Sequence, residues 1–383
     1  MKLLSTLLTA AMALACLPPQ AVAQKGEVIA YVGTYTRRDS KGIYAFRFNP
    51  STGKSTPIGL VAETSNPSFL AIHPNRKFLY AVNEDDNFQG KPTGGVTAFA
   101  IDATTGKLKQ LNAVSSGGPG PCHLALDKTG KWLFVANYGG GSVAAYPVHD
   151  DGSLGEASGF VQHKGSSVTP RQNAPHAHSA NPSPDGKFVL FADLGLDQVL
   201  TYKIDASGKL PPANPPFSKV EPGSGPRHLA YHPKGKFVYT VNEINATVSA
   251  FSYDASNGSL KPLQNISMVP ADYSGAKGSA EIEVHPNGKF LYSSNRDTRN
   301  TGKDTITVFD IDQAKGTLTA VDYTPVPKIP RNFAIDPSGQ YLFSASQDTA
   351  TIQLFRIDQK TGKLTPTGDK LDFPFPVDIT FLR

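Results

Sequence analysis

One unit recurs along this chain: a short turn followed by an apolar run rich in aromatic and β-branched residues. It is legible at 73–84, 127–138, 183–194, 232–243, 285–296 and 336–347, opened by His73, Asp127, Ser183, His232, His285 and Asp336, with spacings of 54, 56, 49, 53 and 51 residues. The same order of shorter runs surrounds each copy, as at 226–231, 247–253 and 258–263 around the fourth. Each run is bounded by Gly, Pro, Asp or Asn, which turn a chain, and is built from Val, Phe, Tyr and Thr, which favour extended backbone. The unit is therefore four short antiparallel strands. Gly 35 and Pro 31 make up about 17 per cent of the residues, against roughly 12 per cent in average usage, which argues against a helical protein. A hydrophobic fraction of 39% supplies a sizeable core, so the chain is expected to fold without staples.

Four-stranded units repeated at this interval are the blades of a β-propeller. Residues 24–383, taken as one domain, divide by about 51 into seven blades, yet six copies are complete. The chain ends supply the other: 376–381 repeats the opening strand, while 28–36 and 42–48 repeat the second and third. The predicted fold is all-β, a seven-bladed β-propeller with four antiparallel strands per blade and its last blade closed by both termini. That closure pairs edges that would otherwise stay open. Most repeat residues are explained by folding alone. His73, His232 and His285 share a turn position with Asp127, Ser183 and Asp336, so a hydrogen bond to the turn backbone accounts for them. Trp132 stands where other blades carry Phe or Tyr and is assigned to the core.

Residues 1–23 read as an address. Lys2 precedes an apolar stretch at 3–17, Pro18-Pro19 breaks it, and Ala21-Val22-Ala23 offers a cleavage site, so a signal peptide and a periplasmic or secreted protein are expected. The apolar run is too short for a span of about 20 residues. Cys16 follows Ala13-Leu14-Ala15, an imperfect lipoprotein pattern, and cleavage after Ala23 is preferred. Beyond it Cys122 is the sole thiol, so no intramolecular disulfide can form. A formal charge of +5 without a Lys/Arg run gives no footprint for nucleic acid or a membrane surface. A monomer acting on a small molecule is expected.

Function shows where the repeat stops repeating. The two positions after each opening Pro or its equivalent are Ser68/Phe69, Cys122/His123, His178/Ser179, Arg227/His228, Ala280/Glu281, Arg331/Asn332 and Val377/Asp378. The position closing the second run gives Glu84, Tyr138, Leu194, Glu243, Arg296 and Gln347. First strands line a propeller's channel, so these sets converge on one mouth. Charges there could form a water-filled ion-pair plug, or a site for an anionic or oxygen-rich small molecule with a carboxylate or His handling a proton; the alternation of Arg with Glu favours the site. His176-Ala177-His178 could present two metal ligands, but a lone pair of this kind has low specificity. Cys122 beside His123 suggests a nucleophile pair, against which strand alternation places them on opposite faces. Gly139-Gly140-Gly141 opens no helix and is read as letting backbone pass close to the site.

Pro-Cys-His-Leu at 121–124, the run at 135–143, His-Ala-His-Ser at 176–179, Gly-Pro-Arg-His-Leu at 225–229, Val-Asn-Glu at 241–243, Ala-Glu-Ile at 280–282, Ser-Asn-Arg at 294–296 and Pro-Arg-Asn-Phe at 330–333 together resemble the lactonase family of seven-bladed propellers. That family includes propeller-type 6-phosphogluconolactonases and fungal carboxymuconate lactonizing enzymes, and the resemblance runs from about Val28 to Phe381. It implies lactone opening or closing without a metal or other cofactor, carried by His178 (or His176), Arg227, Glu243 and Arg296. His123, Tyr138, His176, His228, Glu281, Arg331 and Asn332 are expected to bind the substrate. An export signal departs from a cytosolic phosphorylated substrate, so a sugar lactone such as gluconolactone suits the compartment better. The alternatives are a muconate-type lactonizing cycloisomerase and a propeller that binds a ligand or protein without catalysis.

Overall fold

A computed structural model describes residues 26–37 and 39–383. The expected signal segment, its cleavage site and Cys16 lie outside the described residues. Seven four-stranded antiparallel sheets follow one another around a ring. Blades 1 to 6 begin at the strands Leu70–Ile72, Pro121–Leu126, Ala177–Pro182, Pro226–Tyr231, Ser279–Val284 and Pro330–Ile335. Each runs outward in chain order, and the seven first strands touch their neighbours in an unbroken circle. Blade 7 takes its inner strand, Pro376–Leu382, from the C-terminal end and its other three, Val28–Thr34, Gly42–Asn49 and Lys54–Glu63, from the N-terminal side. Ile29 pairs with Leu382 and Gly33 with Asp378, which closes the ring as expected. Among the described residues no helix is long and apolar enough to cross a membrane.

The core is not central. Seven apolar clusters lie one between each pair of adjacent blades, because alternation sends one set of side chains to each blade face. Phe46, Phe48, Phe343 and Phe381 form one such cluster between blades 6 and 7. Trp132 is half-buried at the edge of the cluster between blades 2 and 3. The turn histidines do more than bind their own turn. His73, His232 and His285 accept a backbone N–H at Nδ1 and donate from Nε2 to the turn carbonyl of the next blade, Gly130, Gly288 and Gly339, at 3.1, 2.9 and 2.7 Å.

Two local devices aim side chains into the channel mouth. The residue after each second strand donates its N–H to the carbonyl of the residue just before its blade's opening segment: Glu84, Tyr138, Leu194, Glu243, Arg296, Gln347 and, in blade 7, Tyr35. The opening strands also carry a register shift, between Pro121/His123, Ala177/Ser179, Pro226/His228, Ser279/Ile282 and Pro330/Asn332. A bulge sets two residues opposite one, so simple alternation fails there. Arg227 and His228, adjacent in sequence, consequently meet, with Arg227 Nη1 3.1 Å from His228 Nε2. The same bulge falls at Cys122 and His123, so strand alternation alone does not assign their faces.

Candidate active site

Glu243 is the centre of the mouth. Arg227 Nε and Arg296 Nη2 lie 3.0 and 3.1 Å from its Oε2, Arg171 Nη2 lies 2.7 Å from its Oε1, and His178 Nε2 is 3.9 Å from Oε2. Burial works against the charge of Glu243, yet Arg296, Arg227 and Arg171 outweigh it and hold the carboxyl at about 2. Arg227 and Arg296 are fixed from behind by backbone: Arg227 Nη1 donates to Ala280 O at 2.7 Å, and Arg296 donates to Gly278 O and Ser279 O at 2.7 and 3.0 Å. Burial, only partly offset by Glu243, pulls Arg296 to about 10, still charged at neutral pH.

His178 is neutral. Burial first, then Arg227, His228 and Arg331, depress its imidazole well below the usual histidine range. Its Nδ1 lies 3.6 Å from Cys122 Sγ, and burial pushes that thiol well up, away from the thiolate a nucleophile requires. His176 diverges from His178: its Nδ1 donates to Tyr138 O at 2.9 Å and its ring stacks on Tyr138. Among the described residues no group of three or more His, Cys, Asp or Glu is arranged to hold a metal.

A second cluster faces Glu243 from blades 7, 1 and 6. Tyr35 OH donates to both Glu84 oxygens at 2.9 Å, Ser68 Oγ donates to the same carboxylate, and Arg331 lies over the Tyr35 ring at 5.3 Å. Among the described residues the Arg331 guanidinium meets no hydrogen-bond acceptor. Beneath both clusters, one residue deeper along the inner strands, lies a layer of buried His123, His228, Glu281 and Asn332 with half-buried Phe69. His123 stacks on Phe69 at 3.9 Å, His228 Nδ1 donates to Glu281 at 3.0 Å, and Asn332 Nδ2 donates to the other Glu281 oxygen at 2.7 Å. Burial raises Glu281 above the ordinary carboxylate range and lowers both histidines. His228, Glu281 and Asn332 bind one another, His123 Nδ1 accepts the Ala180 N–H at 3.3 Å, and the layer floors the mouth.

Of the eleven residues singled out from sequence, His178, Arg227, Glu243, Arg296, Tyr138 and Arg331 stand in an upper tier and His123, His228, Glu281 and Asn332 in a lower one, while His176 joins the upper tier only through Tyr138. Two members of the upper tier escaped sequence reasoning. Tyr35 is the blade 7 equivalent of Glu84 and Glu243, hidden because that blade is split. Arg171 occupies no repeat position; its signal was the spacing of 56, the largest, whose extra residues lie in the connection 163–176. The glycine run does admit close backbone: a Cβ on Gly141 would meet Pro175 O at 2.4 Å.

Seven four-stranded blades around a charged channel mouth define the class, a seven-bladed β-propeller. The chain belongs to the lactonase family: the family described as Lactonase, 7-bladed beta-propeller matches residues 29–381. It is similar to the 6-phosphogluconolactonase of Bacillus subtilis, 34% identical over 93% of this chain and 98% of that one. The 6-phosphogluconolactonase of Formosa agariphila is 38% identical, covering 89% and 96%. Among solved structures, the periplasmic gluconolactonase of Pseudomonas aeruginosa superposes with a TM-score of 0.86 at 34% identity, covering 93% of this chain and 99% of that one.

Proposed function

We propose that the protein is an exported lactonase that hydrolyses a sugar lactone of the gluconolactone or 6-phosphogluconolactone type by general acid and base catalysis in the channel mouth. The observation that carries this reading is a neutral imidazole, His178, beside an ionised carboxylate, Glu243, among guanidiniums in one buried mouth. Neutral His178 takes a proton from water as the oxygen adds to the lactone carbonyl. Glu243 stabilises the imidazolium that forms, and the guanidinium side stabilises the carbonyl oxyanion. Collapse breaks the bond to the ring oxygen, which receives the proton back from His178. No step requires a metal ion. Export is supported by the segment at 1–23 and accords with a relative named as periplasmic.

Proton release from glucono-1,5-lactone, its 6-phosphate and a muconolactone tests the reading. Acceleration of a sugar lactone above the spontaneous rate is expected. Acceleration of the muconolactone alone would indicate the lactonizing chemistry, and none on any of the three would leave a binding propeller.

A further inference from the structure

The three guanidiniums on Glu243 are not equivalent. The side chains of Arg227 and Arg296 are 2% and 10% exposed and are held by backbone carbonyls, whereas that of Arg171 is 51% exposed. Its further partner among the described residues is the Tyr138 hydroxyl, at 3.3 Å. Half of the Arg171 side chain is open to solvent, so another anion can reach its guanidinium from outside the mouth.

The backbone that presents Arg171 is, by contrast, anchored. Its connection, 163–176, is the longest between blades. Gln172 is buried and donates to Leu194 O at 2.8 Å, and Ser167 Oγ donates to Asp197 at 2.6 Å. Gly195 approaches Ala174 O so closely that a Cβ would lie 1.9 Å from it. A fixed base under a half-exposed side chain describes an arm.

The mouth has spare positive charge. Arg171, Arg227, Arg296 and Arg331 face Glu243 and Glu84, while His178 is uncharged. We infer that Arg171 is the substrate-selecting arm: it leaves Glu243 Oε1 to bind an anionic group, a carboxylate or phosphate, remote from the reacting carbonyl of the lactone. Binding such a group takes away one of the three cations on Glu243 and so makes its carboxylate a better partner for the His178 proton. A neutral lactone leaves Arg171 in place. This inference rests on the lactonase reading and adds a selecting residue to it.

The test is calorimetric titration of the full chain with gluconate, glucarate and 6-phosphogluconate, which differ at the far carbon as hydroxyl, carboxylate and phosphate. Wild type is expected to bind at least one of the two ligands with a second anionic group about tenfold more tightly than gluconate, Arg171→Gln to lose that preference, and Arg171→Lys to recover part of it. Glucarate and 6-phosphogluconate then distinguish carboxylate from phosphate. In Arg171→Gln the acid limb of kcat/KM on glucono-1,5-lactone is expected at higher pH than in wild type, since Glu243 then keeps only Arg227 and Arg296, with Arg331 and His178 nearby. A merely structural residue would not shift it. An undiminished preference in Arg171→Gln, its loss in Arg331→Gln alone, or no preference in wild type would overturn the inference. Failure of the lactonase reading would show separately, as absence of hydrolysis by wild type.

Discussion

Arg227, on the inner strand of its blade, reaches Glu243, the residue just after the second strand and sixteen positions on, with its Nε 3.0 Å from Oε2. The bulge at Pro226/His228 makes this contact, and it sets the stability of the mouth as well as its chemistry. The folded carboxyl titrates at about 2 and the ordinary value is 4.5. Its stabilisation is therefore present above pH 4.5 and is lost as pH falls from 4.5 towards 2. The loss is on the order of 3 kcal/mol. Glu243→Gln is expected to be less stable at pH 7, with Arg227 and Arg296 left without a counter-charge, and to lack this acid step. Thermal melts between pH 7 and pH 3 check both.

His178 is expected to carry the proton. In His178→Gln kcat should fall about 10²- to 10⁴-fold, the usual size of a general acid–base contribution, with KM little changed. Because the imidazole titrates well below its usual 6.5, wild-type kcat/KM should keep its plateau through pH 6.5 and fall only at lower pH. A pH–rate profile with a break at 6.5 would contradict this assignment.

Glu283 sits two residues further along the inner strand than Glu281. Burial, then the Glu281 carboxyl, push it up to about 8 from 4.5. Its protonated form is the one the fold prefers, so stability is full below pH 4.5 and declines as pH rises to 8. Glu283→Gln cannot ionise and should escape that decline. A higher Tm than wild type at pH 8, by several degrees, with little difference at pH 4, is the expected outcome.

The C-terminal strand is structural. Val377, Ile379 and Phe381 are buried, Asp378 Oδ2 accepts the Leu70 N–H at 3.0 Å, and the strand pairs along Val28–Thr34. Each buried apolar side chain is worth about 1.5 to 3 kcal/mol, and domain stability is about 5 to 15 kcal/mol. Removal of 376–383 is expected to abolish cooperative unfolding, as followed by circular dichroism or calorimetry.

The blade count was legible because each blade repeats one demand, an aromatic run after a tight turn, and the split blade followed because its halves keep that pattern. The ring of variable positions was legible for a related reason: folding asks the same of every blade, so Arg227, Glu243 and Arg296 stand out at positions where one blade carries Ala280 and another Leu194. Depth was not legible. Which polar residues floor the mouth depends on bulges, and His228 and Glu281 pair only after a register shift that no local pattern marks. Arg171 was missed because comparison of repeats is blind to insertions.

The central claim is that the Glu243 carboxylate serves lactone hydrolysis. Its most direct test is the initial rate of proton release from glucono-1,5-lactone and its 6-phosphate, above the spontaneous rate, for wild type and for folded Glu243→Gln. Wild type is expected to accelerate at least one of them, and the variant to lose 100-fold or more. A folded Glu243→Gln protein that hydrolyses at the wild-type rate would contradict it.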